Sequence, residues 1–320
     1  MRAAVYYETG SPDVFRYEEV PDPALHPKGV IVEVEAISIE GGDTLNRLGG
    51  EMPATPHIVG YQCGGTIREV GAEVTDREVG QQVVLTVPHG SHAELVGVPA
   101  TSTWLVPDGL DIVPAACVPI AFGTADDCLF EFGRLVAGET VLVQAGAGGV
   151  GIAAIQLAKR AGATVLATAS SDDKLERLER LGLDHGINYV SSDFVADARR
   201  LTDGRGVDLV VDSVGSTLAG SIQALGYRGR VSYVGDAGRD KVPADVGALR
   251  AQNQSITGVF LGAELAHGPR AHDNIARLLD EVASGALEVV VDRTFPLADA
   301  ADAHAYMEER RAFGRVVLVP

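Results

Sequence analysis

The residues that most clearly indicate a function lie in a glycine-rich turn between a predicted strand and a predicted helix. Gly146, Gly148 and Gly151 have the spacing GxGxxG, follow the apolar run 141–143 and precede a helical stretch from Ile152. Such a turn presents backbone N–H groups and the positive end of a helix to a dinucleotide pyrophosphate. We expect Gly146 to permit the tight turn, Gly148 to admit the pyrophosphate, and Gly151 to let the helix approach the strand.

The residues after the next predicted strand indicate which dinucleotide would bind. A site for NAD has an acidic residue about 20 positions after the first glycine. Here no carboxylate ends the strand, and Ser170, Ser171 and Lys174 follow it. Hydroxyls and an ammonium group suit a 2′-phosphate, so the pattern favours NADPH over NADH. Asp172 and Asp173 would favour NADH if they turned inward, and the two serines are also candidate helix N-caps.

The elements that must position this turn follow from composition and periodicity. A chain of 320 residues usually divides into two domains, and its apolar fraction of 46% fits a soluble globular protein. Short alternating apolar runs from residue 3 to about 98, separated by proline and glycine, predict a small β-rich domain. A helix is expected over 120–136, and strands then alternate with helices, which predicts a doubly wound parallel sheet. The fold class is therefore α/β.

Charge and cysteine content exclude several function classes. The formal net charge of −18 repels phosphate backbones and anionic membranes, so we expect neither nucleic acid nor a membrane as partner. The three cysteines, Cys63, Cys117 and Cys128, form no CxxC pair and are expected to be buried thiols. No secretory signal and no apolar run of about 18 residues is found, which predicts a cytoplasmic protein.

Several segments together resemble the medium-chain dehydrogenase/reductase superfamily. They are the opening Met-Arg-Ala-Ala-Val, the segment Glu-Val-Pro-Asp-Pro from Glu19, the stretch 60–71 and the glycine turn. The chain looks like the zinc-independent quinone oxidoreductase branch, which includes zeta-crystallin. That resemblance implies a GroES-like catalytic domain from 1–119 and 262–320, a Rossmann domain from 120–261, and an active site in the cleft between them. It also implies a homodimer that joins Rossmann sheets near 254–259.

The resemblance also implies which residues contact NADPH. Gly148, Gly149 and Val150 fit the pyrophosphate turn, and Lys174 and Tyr189 fit the 2′-phosphate site. The other positions are expected along the nicotinamide half of the coenzyme or near the end of the chain: Thr124, Ser213, Gly235, Phe260 and Arg310.

A metal is not expected. Zinc-dependent relatives need a thiolate and a histidine near the nicotinamide, because zinc polarises the substrate oxygen. This chain has Ser38 at the first position and Gly-Tyr-Gln over 60–62 at the second. His57, His89 and His92 are expected to be surface or core residues.

Without a metal, hydride transfer to a conjugated acceptor is the favoured chemistry, because conjugation spreads the developing charge onto an oxygen. We therefore expect a small-molecule quinone or an α,β-unsaturated carbonyl compound as substrate. The candidates to stabilise or protonate an enolate are Glu40, Asp43, Asn46, Tyr61 and Thr124. If Glu40 lies in an apolar site, burial would raise its pKa and make it a possible acid.

Other roles for these residues stay open. Asp43 could instead cap backbone amides, and Tyr61 could be a packed core ring. The branch usually has asparagine where this chain has Glu40, and Leu45 replaces an aromatic residue. One alternative function is therefore a non-redox isomerase or cyclase that uses Glu40 or Asp43, and another is a non-catalytic NADPH-binding protein.

Overall fold

A computed structural model describes residues 1–240 and 242–320 of the chain. Its sixteen strands in the described residues account for both predicted sheets. They are β1 Arg2–Tyr6, β2 Arg16–Glu19, β3 Gly29–Ser38, β4 His57–Ile58, β5 Gln62–Val70, β6 Gln82–Thr86, β7 Leu95–Pro99, β8 Thr103–Leu105, β9 Thr140–Val143, β10 Thr164–Ala169, β11 His185–Asn188, β12 Val207–Asp212, β13 Leu225–Tyr233, β14 Ser255–Gly258, β15 Val291–Pro296 and β16 Arg315–Val319.

Ten α-helices lie between these strands in the same residues. They are α1 Gly41–Gly49, α2 Ile112–Ala115, α3 Val118–Asp126, α4 Gly149–Arg160, α5 Asp172–Glu179, α6 Phe194–Leu201, α7 Leu218–Ala224, α8 Leu261–His267, α9 Arg270–Ala283 and α10 Ala300–Glu308. Each described helix is too short or too polar to cross a bilayer.

The chain forms two compact units, and the first is built from both ends of the sequence. Unit 1 comprises Met1–Ile120 and Ile275–Pro320, and unit 2 comprises Ala121–Asn274. The sequence placed the second boundary at 261/262, whereas residues 262–274, with most of α8, belong to unit 2. The predicted α/β class, with a GroES-like unit and a Rossmann unit, is confirmed.

Unit 1 is β-rich, as its short alternating runs predict. Its larger sheet has the order β15-β16-β3-β5-β6-β8, with β7 also paired to β3, and a smaller sheet has the order β2-β1-β4. The core contains valine, isoleucine and leucine side chains from β3, β5, β6 and β16. The late strand β16 pairs antiparallel with β3, which brings the start of β16 beside the end of β3.

Unit 2 is a six-stranded parallel sheet with the order β11-β10-β9-β12-β13-β14. The chain runs outward from β9 to β11, then returns to β12 on the other side of β9. Strand order therefore reverses between β9 and β12, and such a reversal is where ligands bind in doubly wound sheets. The turn that follows β9 is the glycine-rich turn.

One predicted helix is shorter than expected. Instead of a continuous helix over 120–136, α3 ends at Asp126 and a π-helical segment, Asp127–Glu131, follows. The side chains of Asp126 and Asp127 accept hydrogen bonds from Asn274 (2.9 Å) and Arg270 (2.7 Å). Tertiary contacts of this kind alter a helix where sequence periodicity alone would extend it.

Candidate functional site

The glycine-rich turn of unit 2 is built differently from the prediction at one position. The left-handed residue is Ala145, with φ 52°, although Gly146 was expected to permit the tight turn. Gly146 is required for another reason, because a Cβ there would lie 2.8 Å from the Cβ of Ala167 on β10. A Cβ on Gly151 would overlap the carbonyl oxygen of Ala145. The first turn of α4 can therefore approach the glycine-rich turn this closely only with glycine at position 151.

The start of α4 leaves backbone amides for a ligand. Gly148 is the N-cap and has no side chain to satisfy them, and α4 begins at Gly149. The first N–H groups of a helix have no partner within it, and the helix dipole adds positive potential there. The amides of Gly149 and Val150 therefore form a cradle for an anion, and a dinucleotide pyrophosphate fits it.

The second part of the coenzyme site lies where β10 ends. Ser171 is the N-cap of α5 and accepts a hydrogen bond from the backbone N–H of Lys174 (3.3 Å). Asp172, which could have favoured NADH, is held by the side-chain amide of Asn188 at 2.8 Å. The backbone N–H of Tyr189 donates to the carbonyl of Ala169 (3.2 Å), beside Ser170, and the tyrosine ring is exposed.

The remaining coenzyme candidates of unit 2 follow the carboxyl ends of neighbouring strands. Ser213 comes after β12, Gly235 after β13 and Phe260 after β14. Gly235 and Ser213 adjoin, since a Cβ on the glycine would lie 3.3 Å from the serine carbonyl oxygen. Phe260 is 73% exposed at the N-cap of α8. The structure thus brings these three loops and the glycine turn to one edge of the sheet.

Two further candidates lie elsewhere. Thr124 is buried on α3, in unit 2, and Arg310 lies in unit 1, where it is exposed after α10. The roles assigned to them by resemblance stay predictions.

The catalytic candidates of unit 1 meet at the start of α1. Glu40 is its N-cap and Asp43 its third residue, and the two form a reciprocal capping box in which the Glu40 N–H donates to Asp43 Oδ2 at 2.8 Å. Both side chains are buried. The capping role considered for Asp43 is therefore present. Asn46 lies exposed further along α1.

Arg315, at the start of β16, binds Glu40 and was missed by the sequence analysis. Its guanidinium contacts both carboxylate oxygens of Glu40, donates to Ser38 Oγ at 3.0 and 2.6 Å, and donates to the Ile39 carbonyl at 2.8 Å. The side-chain amide of Gln62 donates to the same carboxylate. The one available signal was an arginine that opens the otherwise apolar run Val-Val-Leu-Val.

This ion pair changes the interpretation of Glu40. Burial raises the pKa of Glu40, while the adjacent Arg315 opposes that rise. Arginine keeps its charge in proteins, and an unpaired buried guanidinium is costly, so we infer that Glu40 is the anion of the pair. Its oxygens are occupied by Arg315 and Gln62, so the geometry does not favour Glu40 as a proton donor.

Asp43 and Tyr61 differ in how deeply their side chains are buried. Burial raises the pKa of Asp43 well above its usual value, but its side chain is fully enclosed. Tyr61 is only partly buried, and its hydroxyl lies against the backbone of Gly42. Burial, followed by the nearby Asp43 and Glu40, raises the pKa of Tyr61 well above 10, so its phenol keeps its proton. Of these three residues, Tyr61 is the one whose side chain is partly exposed.

Three histidines are buried in unit 1. His92 and His304 are fully buried with their Nε2 atoms 3.1 Å apart, His57 is also buried, and His89 is exposed.

Comparisons with known proteins agree with this architecture. Residues 26–108 match the alcohol dehydrogenase GroES-like domain, and residues 149–284 match the zinc-binding dehydrogenase family. The chain is 35% identical to a 2-haloacrylate reductase from a Burkholderia species, over 99% of this chain and 98% of that protein.

Two solved structures are similar over almost their whole length. A quinone oxidoreductase of Pseudomonas syringae pv. Tomato is 30% identical, with a TM-score of 0.94 over 100% of this chain and 99% of that one. The Escherichia coli quinone oxidoreductase, solved with NADPH, is 26% identical, with a TM-score of 0.94 over 100% of both chains.

The description of the second matched family implies zinc, and the residues of this chain do not fit it. Within residues 1–240 and 242–320, no three histidine, cysteine, aspartate or glutamate side chains are grouped as metal ligands. At the position where zinc-dependent relatives have a thiolate, Ser38 instead accepts hydrogen bonds from the Arg315 guanidinium. A guanidinium repels a metal cation, so the surroundings of Ser38 do not suit zinc.

Proposed function

Because the chain belongs to the medium-chain dehydrogenase/reductase superfamily, in its quinone oxidoreductase-like branch, and is an oxidoreductase, we propose that it is an NADPH-dependent, zinc-independent reductase of conjugated acceptors. The acceptor is a quinone or an α,β-unsaturated carbonyl compound. The observation that carries this proposal is the anion cradle at the start of α4, together with Ser170 and Ser171 after β10 and Lys174 in the first turn of α5. The named activities of the similar proteins support the same reaction class.

The coenzyme preference is argued from charge. A 2′-phosphate beside Lys174 gains a charge-assisted hydrogen bond, whereas a ribose hydroxyl gains less. The carboxylate of Asp172 is engaged by Asn188, which leaves it less available to accept from a 2′-hydroxyl. Tyr189 is exposed next to Asn188, where its hydroxyl can also approach a phosphate. These contacts favour NADPH.

The chain's own contribution to chemistry is binding, orientation and one proton. Bound NADPH would supply the hydride. We assign the proton that completes reduction of the carbon–carbon double bond to the Tyr61 hydroxyl. Asp43 and the Glu40–Arg315 pair are positioning groups that keep the start of α1, and therefore Gly42, against that hydroxyl. The same occupancy of Glu40 argues against an isomerase that uses this carboxylate as its catalyst.

Turnover by the purified enzyme tests the proposal. NADPH oxidation is followed with a panel of quinones, enones and saturated ketones, and only the conjugated acceptors should react. In Tyr61→Phe, kcat on an enone should fall about 100-fold with NADPH affinity retained, as for loss of a general acid. The exposed Tyr7→Phe is the matched control. Absence of turnover on every acceptor would contradict the proposed function, and an unchanged Tyr61→Phe would remove only the assigned proton donor.

We also propose that the chain is a homodimer joined along β14. This strand is the edge of the sheet in the described residues, so one side of its backbone is available for pairing. Exposed Val246 and Phe260 flank it in the sequence. Sedimentation equilibrium should give the mass of two chains, and a single-chain mass at micromolar concentration would rule the dimer out.

A further inference from the structure

A chain of buried hydrogen bonds lies beneath the glycine-rich turn in unit 2. The Ala145 N–H donates to Thr168 Oγ1 (3.1 Å), and that hydroxyl donates to Gln144 Oε1 (2.8 Å). The Gln144 amide donates to Ser221 Oγ (3.2 Å), which donates to Asp212 Oδ2 (2.7 Å). All four side chains are at most 2% exposed. We call them the Gln144 network.

The network ends on a carboxylate that organises a second loop. Asp212 Oδ1 accepts hydrogen bonds from the backbone N–H groups of Val214 and Gly215, each at 3.0 Å, and from the Thr217 hydroxyl at 2.9 Å. These bonds shape the loop after β12, which contains Ser213. The network therefore connects the turn after β9 to the loop after β12, and both are assigned to the coenzyme.

Every bond in the network donates in the same direction, from Ala145 toward the Asp212 anion. Hydrogen bonds aligned in this way polarise one another in a low-dielectric interior, so their strength depends on an unbroken series. The network also holds the one residue of the turn that has an unfavourable backbone conformation. Ala145 is left-handed despite its Cβ, and its N–H is the group that Thr168 fixes.

We propose that Thr168, Gln144 and Ser221 are positioning residues for the coenzyme. They hold the pyrophosphate turn in its binding conformation and link it to the loop that contains Ser213. This inference rests on the proposed binding of NADPH by unit 2. None of the three needs to touch the coenzyme, since each acts through the backbone of Ala145 or the carboxylate of Asp212.

The test compares two threonines with matched surroundings. Thr168 and Thr202 are both 2% exposed, and each hydroxyl accepts from a backbone N–H and donates to an oxygen. Thr202 follows α6 and is outside the network. Thr168→Val should raise the Kd for NADPH about tenfold, which corresponds to the net free energy of one hydrogen bond. Thr202→Val should lower Tm without changing that Kd.

A comparison of NADPH with NADH separates the effect of the Gln144 network from that of the 2′-phosphate contacts. The pyrophosphate is common to both coenzymes, so calorimetry should show that Thr168→Val weakens NADPH and NADH by the same factor. Ser221→Ala cuts the network at its far end and should also weaken both. If the Kd of either variant stays within about twofold of wild type while Tm falls as in Thr202→Val, the network is only structural. Wild-type protein that binds neither coenzyme would instead contradict the proposed function.

Discussion

At the scale of single residues, Glu40 and Arg315 form a buried ion pair at the start of α1, and the proposed function gives this pair a positioning role. Both side chains are 6% exposed and every oxygen of the carboxylate has a donor. Removing one member of a buried pair leaves an uncompensated charge, whereas replacing both can be nearly neutral.

This gives a stability prediction. Glu40→Ala should lower the free energy of unfolding by about 3–5 kcal/mol, because it leaves the Arg315 guanidinium buried without a counter-charge. The double variant Glu40→Met, Arg315→Met should recover most of that loss. Glu309→Ala, which breaks the exposed pair with Arg311 (3.1 Å), is the control and should cost less than about 1 kcal/mol. Chemical denaturation measures all three, and equal losses at the buried and exposed pairs would refute the assignment.

The buried histidines predict how stability responds to acid. Burial lowers the pKa of His92 to about 3, and burial, His92 and Arg47 hold the pKa of His304 well below its usual value. A histidine that stays neutral when folded is protonated first in the unfolded chain. Stability should therefore fall as pH drops below about 6.5, by about 1.4 kcal/mol per pH unit for each such histidine.

The variant His304→Gln isolates this effect. Its unfolding free energy should fall less steeply than that of the wild type between about pH 6 and 4, because unfolding then takes up roughly one proton fewer. The exposed His185→Gln serves as control. The buried carboxyls act in the opposite direction, because a raised folded pKa adds stability at low pH that is lost as pH rises. They are present in both proteins, so the difference in slope reports the histidine. Identical slopes would show that His304 is protonated in the folded state.

Sequence reasoning at this scale located the carboxylates but not their partner. Glu40, Asp43 and Tyr61 were identified as a group, and the structure brings them together. Arg315 was missed because it is 275 residues from Glu40 and reaches it only through the pairing of β16 with β3. That pairing is a property of the tertiary fold. For the same reason the sequence did not predict the Thr168–Gln144 contact, which depends on the pairing of β10 with β9.

At the scale of elements, the proposed function assigns coenzyme choice to the crossover from β10 to α5. Lys174→Ala should raise the Kd for NADPH by about 10- to 100-fold, the range for a charge-assisted hydrogen bond, and leave the Kd for NADH unchanged. Lys159→Ala on α4, which breaks the ion pair with Asp184 (2.5 Å), is the control. Calorimetric titration of both variants with both coenzymes checks this. Equal weakening of NADPH and NADH by Lys174→Ala would place the 2′-phosphate elsewhere.

Elements whose periodicity is strong were predictable, and elements shaped by distant contacts were not. The strand, turn and helix from β9 to α4 were identified because apolar residues flank the glycines on both sides. The helix expected over 120–136 ends early because Asp126 and Asp127 turn toward Asn274 and Arg270, more than a hundred residues later. The left-handed conformation of Ala145 was not predictable, because alanine rarely adopts it.

At the scale of the molecule, the length of the chain predicts two units and the alternation of strands and helices predicts a parallel sheet. The resemblance predicts that both chain ends build the first unit. The strand order, with its reversal between β9 and β12, explains why the glycine turn, the β12 loop and the Lys174 crossover share one sheet edge. The net charge of −18 agrees with a small-molecule substrate better than with a nucleic acid. Which conjugated acceptor binds depends on side-chain packing that periodicity does not encode.

Metal-free hydride transfer is tested most directly with NADPH that carries deuterium at both hydrogens of the nicotinamide C4, an enone as acceptor and a metal chelator present. We predict that the saturated product contains one deuterium at the β-carbon and a solvent proton at the α-carbon, at a rate the chelator does not change. A product without coenzyme deuterium, or a reaction abolished by the chelator, would contradict metal-free hydride transfer by this protein.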